Sequence, residues 1–595
     1  MVRFPRLSAL VPLVFLSACA TTAADVGLRP SQPVAQQQTA PRGGSAYGLF
    51  LAGQAALAEG RPEESRDLML ASAAAGATDP EVLEGAFLAA LLAGDIPQAV
   101  KLAPQGADAA ADLRQLGDLT RAISAMTAGK PKDAHAVLSQ ARFNRVDRGA
   151  AALLTPLAAD AAGDKEAAVV RPDQRIDRVV QYFGQLSQSQ VFERQRRYDE
   201  AETGYKIIAG PQSPTLNLFA ADYCEFLERR GRRADALALY DQALATGRTD
   251  QGLRNARARA AAGRRPPRLA TPLEQMARVL VAGAAVHAAN DSSESAMAYL
   301  RLALAADPKR LEAWLLIGDL LSDINPEAAL AAYAHAPKGT DLYVQAQAKV
   351  AWTHQAAGDK EAAIAAARAA QAASPDNREA AMTLAQLLRA SEKNAEAVLL
   401  LDALVNQPGA TADWRLLYLR ATTLAAAGRT ADSERDLQAA LVLAPNEPEL
   451  LNYLGYMWID RSENLPKAME MVQRAVSQRP RSGAIIDSVG WGYYRLGDYR
   501  AAVQSLERAV TLEPADPDVN DHLGDAYWRV GRQIEAKFQW SRVLTLQPTE
   551  EIRRRAEAKL KSGLTIAANP SAPTPVPMAP APAEAAANPV RPAGG

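Results

Sequence analysis

Residues 487–514 read DSVGWGYYRLGDYRAAVQSLERAVTLEP, and residues 521–548 read DHLGDAYWRVGRQIEAKFQWSRVLTLQP. The two stretches superpose at an offset of about 34, which sets Gly490 on Gly524, Gly497 on Gly531, Ala502 on Ala536 and Pro514 on Pro548. In the first, Val489, Gly490, Tyr493, Gly497, Tyr499, Ala502, Leu506, Ala509 and Pro514 fall where small and large residues interlock two antiparallel helices. Gly490 and Ala502 let the helices approach, Gly497 permits a tight turn, and Pro514 ends the second helix. The second stretch repeats the scheme with Leu523, Gly524, Tyr527, Gly531, Ala536, Trp540 and Pro548.

The period is that of tetratricopeptide repeats (TPR). Followed backwards, the turn position falls near Ser462, Gly428, Glu392, Gly358, Asn325, Asp291, Gly231, Arg196, Gly163, Gly129, Gly94 and Gly60. The phase is sustained except between 231 and 291, where Pro266 and Pro267 forbid a helix interior. The expected fold is all-α: a right-handed TPR superhelical solenoid of antiparallel helix hairpins, each held by its immediate neighbours along a one-dimensional stack. The expected organisation is a leader over 1–18, a lipidated tether over 19–44 and N-terminal repeats over 45–247. An irregular connection follows over 248–275, then C-terminal repeats over 276–548, a polar capping helix over 549–567 and a Pro/Ala-rich disordered tail over 568–595. One extra residue in DRSENLPKA, 460–468, lengthens a hairpin turn.

Composition agrees with helix and leaves little room for chemistry. The 595-residue chain is 48% hydrophobic but only 6% aromatic, which disfavours a β-sandwich or barrel. Lys and Arg number 66 against 67 Asp and Glu, so no global basic field attracts nucleic acid. Two cysteines cannot build a disulfide framework, and five scattered histidines give no metal signature. No cofactor, metal or nucleic acid is expected.

The first 19 residues, MVRFPRLSALVPLVFLSAC, place Arg3 and Arg6 before an apolar core too short to span a bilayer. The leader closes on Leu16-Ser17-Ala18-Cys19, which resembles a bacterial lipobox and implies diacylglycerol on Cys19; ordinary signal cleavage also fits Ala18-Cys19-Ala20. Ala20, where an aspartate usually means retention in the inner membrane, implies lipid anchoring in the outer membrane, at its periplasmic face.

NYLGYMWIDR, DSVGWGYYRLGDY and DHLGDAYWRVGR resemble the last repeats of proteobacterial TPR outer-membrane lipoproteins, a group that includes the adaptor of a periplasmic carboxyl-terminal processing protease. The close resemblance covers residues 448–548. It implies no catalytic motif, a periplasmic location, membrane attachment through the N-terminal lipid, and protein partners, a processing protease and its cell-wall hydrolase substrates among them. The alternative is a structural component of an outer-membrane biogenesis or polysaccharide-export assembly. An enzyme would need a convergent nucleophile, acid or metal set, and none is found.

In such a stack the first helix of each repeat lines the concave face. This register directs Tyr456, Asp487, Trp491, Tyr494, Arg495, Asp525, Trp528 and Arg529 into a partner-binding groove, together with Asn452, Ile459, Asp460, Ala484, Asp518 and Asp521. Aromatic rings beside Arg and Asp have the composition of a protein-binding hot spot. The packing alternative has Trp491 and Trp528 covering an adjoining helix and Asp525 pairing with Arg529; the register puts Tyr493 and Tyr527 in the core instead. Cys224 falls at a small-residue position and reads as a buried thiol. His522 has no assignable nucleophile. Arg553-Arg554-Arg555 reads as a solvated face balanced by Glu550, Glu551 and Glu557.

Overall fold

The computed structural model describes residues 45–564 apart from 77–78, 106–108, 145–146, 170–177, 246–250 and 408–412. The leader, Cys19, the tether and the tail over 568–595 lie outside the described residues. Among the described residues there are thirty α-helices, numbered in chain order from α1 (Ala46–Ala58) to α30 (Glu550–Ser562), and no strand. Consecutive helices pack as hairpins, and hairpins stack on one another, which is the TPR solenoid.

The turn positions explain why. Gly60, Gly94, Gly129, Gly163, Arg196, Gly231, Asp291, Gly358, Glu392, Gly428, Ser462, Gly497 and Gly531 all have positive φ, as a left-handed turn between two helices requires. Asn325 alone departs from the expected series, at φ −141°. It precedes Pro326, whose ring pushes the preceding residue toward extended backbone, and its side chain caps the next helix by accepting from the Ala328 N–H.

The chain divides into two compact units at Leu404 and Val405, not at 248–275. The expected irregular connection also needs correction. Residues Gln251–Ala261 form α13, followed by a left-handed Gly263. This is the first helix and turn of a repeat whose second helix is missing, because the prolines act only after the turn. Non-helical chain then leads to α14 (Pro272–Ala288), opened by a Thr271/Glu274 capping box.

Within the unit Gln37–Leu404, contacts are not confined to neighbouring repeats. Helix α14 packs on α7 (Asp147–Ala162), and α15 (Ser293–Ala306) packs on α3 (Pro80–Leu92) and α5 (Ala111–Thr127). The Arg301 Nε–H donates to the Leu92 carbonyl at 2.8 Å, and Asn325 Nδ2 donates to the Gly60 carbonyl at 3.2 Å. These side chains satisfy carbonyls that helix ends leave free, so the early hairpins fold back on later ones. A buried node reinforces the join: Asp147 Oδ1 accepts from the Tyr299 hydroxyl at 2.6 Å and lies 2.9 Å from His287 Nε2. Despite the cost of burial, His287 and Tyr299 hold the Asp147 carboxyl below its ordinary pKa. Cys224 is a buried free thiol in the separate core of α9–α13, and burial pushes its pKa up.

In the unit from Val405, the first helices of successive repeats are α22 (Trp414–Ala426), α24 (Pro448–Asp460), α26 (Gly483–Leu496) and α28 (Pro517–Arg529). Each of α24, α26 and α28 packs on the next, and α28 also packs on α30. Their partners include α27 (Tyr499–Leu512) and α29 (Gln533–Val543). Ala502, Leu506 and Ala509 are fully buried against α26 and α28, a burial worth about 2 kcal/mol for Leu506 alone. A Cβ on Gly490 would stand 2.6 Å from Leu506 Cγ, so glycine is what permits this approach.

Candidate functional site: the inner face of the C-terminal repeats

Helices α24, α26, α28 and α30 lay their inward residues side by side. Ser482 and Asp516 fix the entries of α26 and α28 by accepting from the N–H groups of Ile485 and Val519. The central feature is a three-ring stack. Trp491 lies 4.6 Å from Tyr494 with 8° between planes, and 4.1 Å from His522 with 12°. His522 Nδ1–H donates to both Asp487 oxygens at 3.0 Å. Burial opposes charge on this imidazole, but the charge and hydrogen bond of Asp487, with the charges of Asp518 and Asp521, hold its pKa up at about 9. His522 is therefore a buried imidazolium at neutral pH, unsuited to general-base work.

Beyond the stack, Arg529 Nε donates to the Tyr494 hydroxyl at 3.2 Å, and its guanidinium lies over the Tyr499 ring. Arg495 reaches back one repeat to Ser462 Oγ at 2.9 Å and the Asp460 carbonyl at 2.6 Å. Asp525 accepts from Trp540 Nε1 at 3.0 Å and pairs with Lys559 of α30 at 2.7 Å. Lys559 also pairs with Asp521 at 2.8 Å, and Arg555 pairs with Asp518 at 3.3 Å. Burial raises the pKa of Asp525 against the pull of Lys559.

The eight expected groove residues thus fall into two groups. Tyr456, Asp487, Trp491, Tyr494 and Arg495 line α24 and α26, where the Tyr456 hydroxyl has no hydrogen-bond partner among the described residues and the Trp491 Nε1–H is buried without an acceptor. Asp525 and Trp528 are covered by α30 and α29, and Arg529 is turned to Tyr494. Three details of the register differ from expectation. Trp491 is 8% exposed, inside the stack, and Trp528 packs against Trp540 with Leu560 and Leu564 beside it. Ile459 is fully buried. Asp525 takes Lys559 as its ion partner, one repeat downstream, and Arg555 is drawn across the groove from its solvated face. Of the two tyrosines expected in the core, Tyr527 is buried, with its hydroxyl on Glu507 at 2.8 Å, whereas Tyr493 is only half-buried at the edge of the cluster.

Sequence reasoning did not single out His522, Lys559 or Arg555 as parts of the site. The repeat period could have found them, since His522 follows Asp487 by 35 residues and Lys559 follows Asp525 by 34. Among the described residues no group of three His, Cys, Asp or Glu side chains is placed to hold a metal ion, and no helix is long and apolar enough to cross a membrane. The arrangement offers aromatic surface, fixed charges and unfilled hydrogen bonds: the means of binding.

Comparison with known proteins gives the class. Tetratricopeptide repeat family models match residues 351–412 and 418–483, and a TPR repeat model matches 492–531. A TPR repeat-containing protein of Pseudomonas aeruginosa is 35% identical over 85 residues, a match that spans 14% of this chain and 14% of that relative. A solved tetratricopeptide repeat protein from Parabacteroides merdae is 18% identical, covering 37% of this chain and 85% of that one with a TM-score of 0.31. The Cut9-Hcn1 hetero-tetramer of APC/C is 14% identical, covering 87% of this chain and 96% of that one with a TM-score of 0.34. The chain carries tetratricopeptide repeats, modules that mediate binding to protein partners.

Proposed function

We propose that this protein is a lipid-anchored periplasmic TPR scaffold, tethered to the outer membrane through Cys19, that holds protein partners on the inner face of its C-terminal repeats. The observation that carries the binding role is the α24–α26 face, where the Trp491 N–H is buried without an acceptor and the Tyr456 hydroxyl has no hydrogen-bond partner among the described residues, beside aromatic rings and a fixed imidazolium. The leader and Ala20 support the anchor and the compartment. The resemblance of residues 448–548 to the adaptor lipoproteins supports a carboxyl-terminal processing protease, with its cell-wall hydrolase substrates, as the partner. The scaffold performs no reaction itself; TPR scaffolds are generally non-enzymatic, and the one buried histidine of the site is already protonated.

Crosslinking in intact cells followed by purification tests this directly. The expected result is a periplasmic protease among the captured proteins. A captured set of export or barrel-assembly proteins, with no protease, would replace the adaptor role by that of an assembly component. Cys19→Ala should release the chain to the soluble periplasm or block its processing; a variant that still fractionates with the outer membrane would refute the anchor.

A further inference from the structure

We propose that the edge formed by three consecutive helix turns of the unit Gln37–Leu404, at Arg196, Gly231 and Gly263, is a cationic surface that lies on an anionic phospholipid bilayer and orients the anchored chain. This rests on the membrane attachment proposed above and adds which edge meets the membrane. The segments 194–200, 229–235 and 264–268 hold ten arginines against three acids, Asp199, Glu200 and Asp235. The flanking turns at Gly163 and Asp291 are net acidic, with Asp164, Lys165 and Glu166 at one and Asp291 and Glu294 at the other, so the basic stretch is confined to these three.

Contacts between the turns put them side by side. The Arg230 guanidinium lies 3.6 Å over the ring of Tyr198, which opens α10 (Tyr198–Ala209), and Arg233 Nη2 donates to the Gly263 carbonyl at 3.3 Å. The loop after Gly263 is fastened to the same edge, by Arg229 on the Pro267 carbonyl at 3.3 Å and by Arg194 on the Ala270 carbonyl at 3.0 Å. Arg194, Arg197, Arg229, Arg232 and Arg268 pair with carboxylates of the chain itself. The other five, Arg196, Arg230, Arg233, Arg264 and Arg265, are exposed and have no ion pair among the described residues.

The chemistry of the edge names its partner. Hairpins about 10 Å apart spread the open guanidiniums over about 20 Å, more than one small anion can bridge. Among the described residues, none of the large apolar side chains that stand exposed belongs to these turns, so the anchors that hold a protein partner are missing and the attraction is that of charge. Guanidinium forks match phosphate oxygens, and each arginine at an anionic leaflet strengthens binding about fivefold. Residues 20–44, between a lipidated Cys19 and α1, reach at most about 85 Å when extended, which keeps the edge close to the bilayer.

The test is flotation of the chain from residue 19, made without lipid, with vesicles of phosphatidylethanolamine carrying about a quarter phosphatidylglycerol, and with neutral phosphatidylcholine vesicles. The chain should float with the anionic vesicles only, and less so as salt rises. Arg196→Gln/Arg264→Gln/Arg265→Gln removes three side chains that make no hydrogen bond or ion pair among the described residues, so circular dichroism should be unchanged while binding weakens about a hundredfold. Arg500→Gln/Arg554→Gln/Lys561→Gln takes the same charge from exposed positions of the unit that starts at Val405 and should bind as wild type. Equal flotation with both vesicle types, or a folded turn variant that binds no more weakly than this control, would overturn the proposal. Binding of polyglutamate or DNA through the same arginines, with anionic vesicles left free, would overturn it in favour of an acidic macromolecule. In cells, a high-salt wash strips a chain held by this edge and leaves one held by lipid on Cys19, so the edge and the anchor can each fail alone.

Discussion

Raising the pH from 6.5 to 9.5 should destabilise the C-terminal repeats through a single buried group, His522. Its ordinary pKa is 6.5 and in the fold it is held at about 9, above the unfolded value. A raised pKa contributes stability that is complete below pH 6.5 and is lost as pH climbs through 9. At about 1.4 kcal/mol per pH unit, the shift corresponds to on the order of 3 kcal/mol, nearly all of it gone at pH 9.5. The groups that face the imidazole account for the direction: Asp487 as its hydrogen-bond acceptor, Asp518 and Asp521 by charge, with Lys559 and Arg555 opposing from α30. Urea unfolding followed by tryptophan fluorescence reports this region, because Trp491, Trp528 and Trp540 all lie in or beside it. The midpoint should fall between pH 6.5 and 9.5 in the wild type and should not fall in His522→Gln. A wild type with a flat midpoint over this range, or a variant that keeps the slope, would refute the imidazolium.

Three other substitutions probe the fold. Gly490→Leu forces a side chain into Leu506 and should cost on the order of 1–3 kcal/mol; limited proteolysis should open the C-terminal repeats and spare residues 45–404. Glu392→Gly should stabilise the unit Gln37–Leu404 by about 0.5–1 kcal/mol in thermal unfolding, since glycine tolerates the φ of 60° that glutamate is forced to hold. Arg301→Met should cost about 1–3 kcal/mol by stranding the Leu92 carbonyl, and hydrogen exchange should quicken in α3 as well as α15.

The periodic part of the molecule was legible because a turn between packed helices demands one left-handed residue, and the phase of those residues survives where glycine is replaced by Arg196, Asp291, Glu392 or Ser462. Asn325 broke the pattern for a local reason also visible in sequence, the proline that follows it. The half-repeat at α13 was hidden because Pro266 and Pro267 mask the helical pattern before them, although they lie beyond Gly263 and act only after the turn. The back-folding of the N-terminal hairpins was not legible: Arg301 and Asn325 act on backbone carbonyls 209 and 265 residues away, and a carbonyl leaves no mark in sequence. On the inner face, the helical register put Tyr456, Asp487, Trp491, Tyr494 and Arg495 on α24 and α26, where the structure has them. It failed on the partners, because the charges of α30 were balanced along their own helix, while Arg555 and Lys559 are spent across the groove on α28.

The central claim, that the α24–α26 face captures a protein, is tested most directly by the affinity of the captured partner for purified Tyr456→Phe. This change removes one hydroxyl that has no hydrogen-bond partner among the described residues and leaves the ring in place, so unfolding should match wild type. If the hydroxyl bonds to the partner, binding should weaken by about three- to tenfold. Equal affinity in the folded variant would contradict the assignment of this face as the binding site.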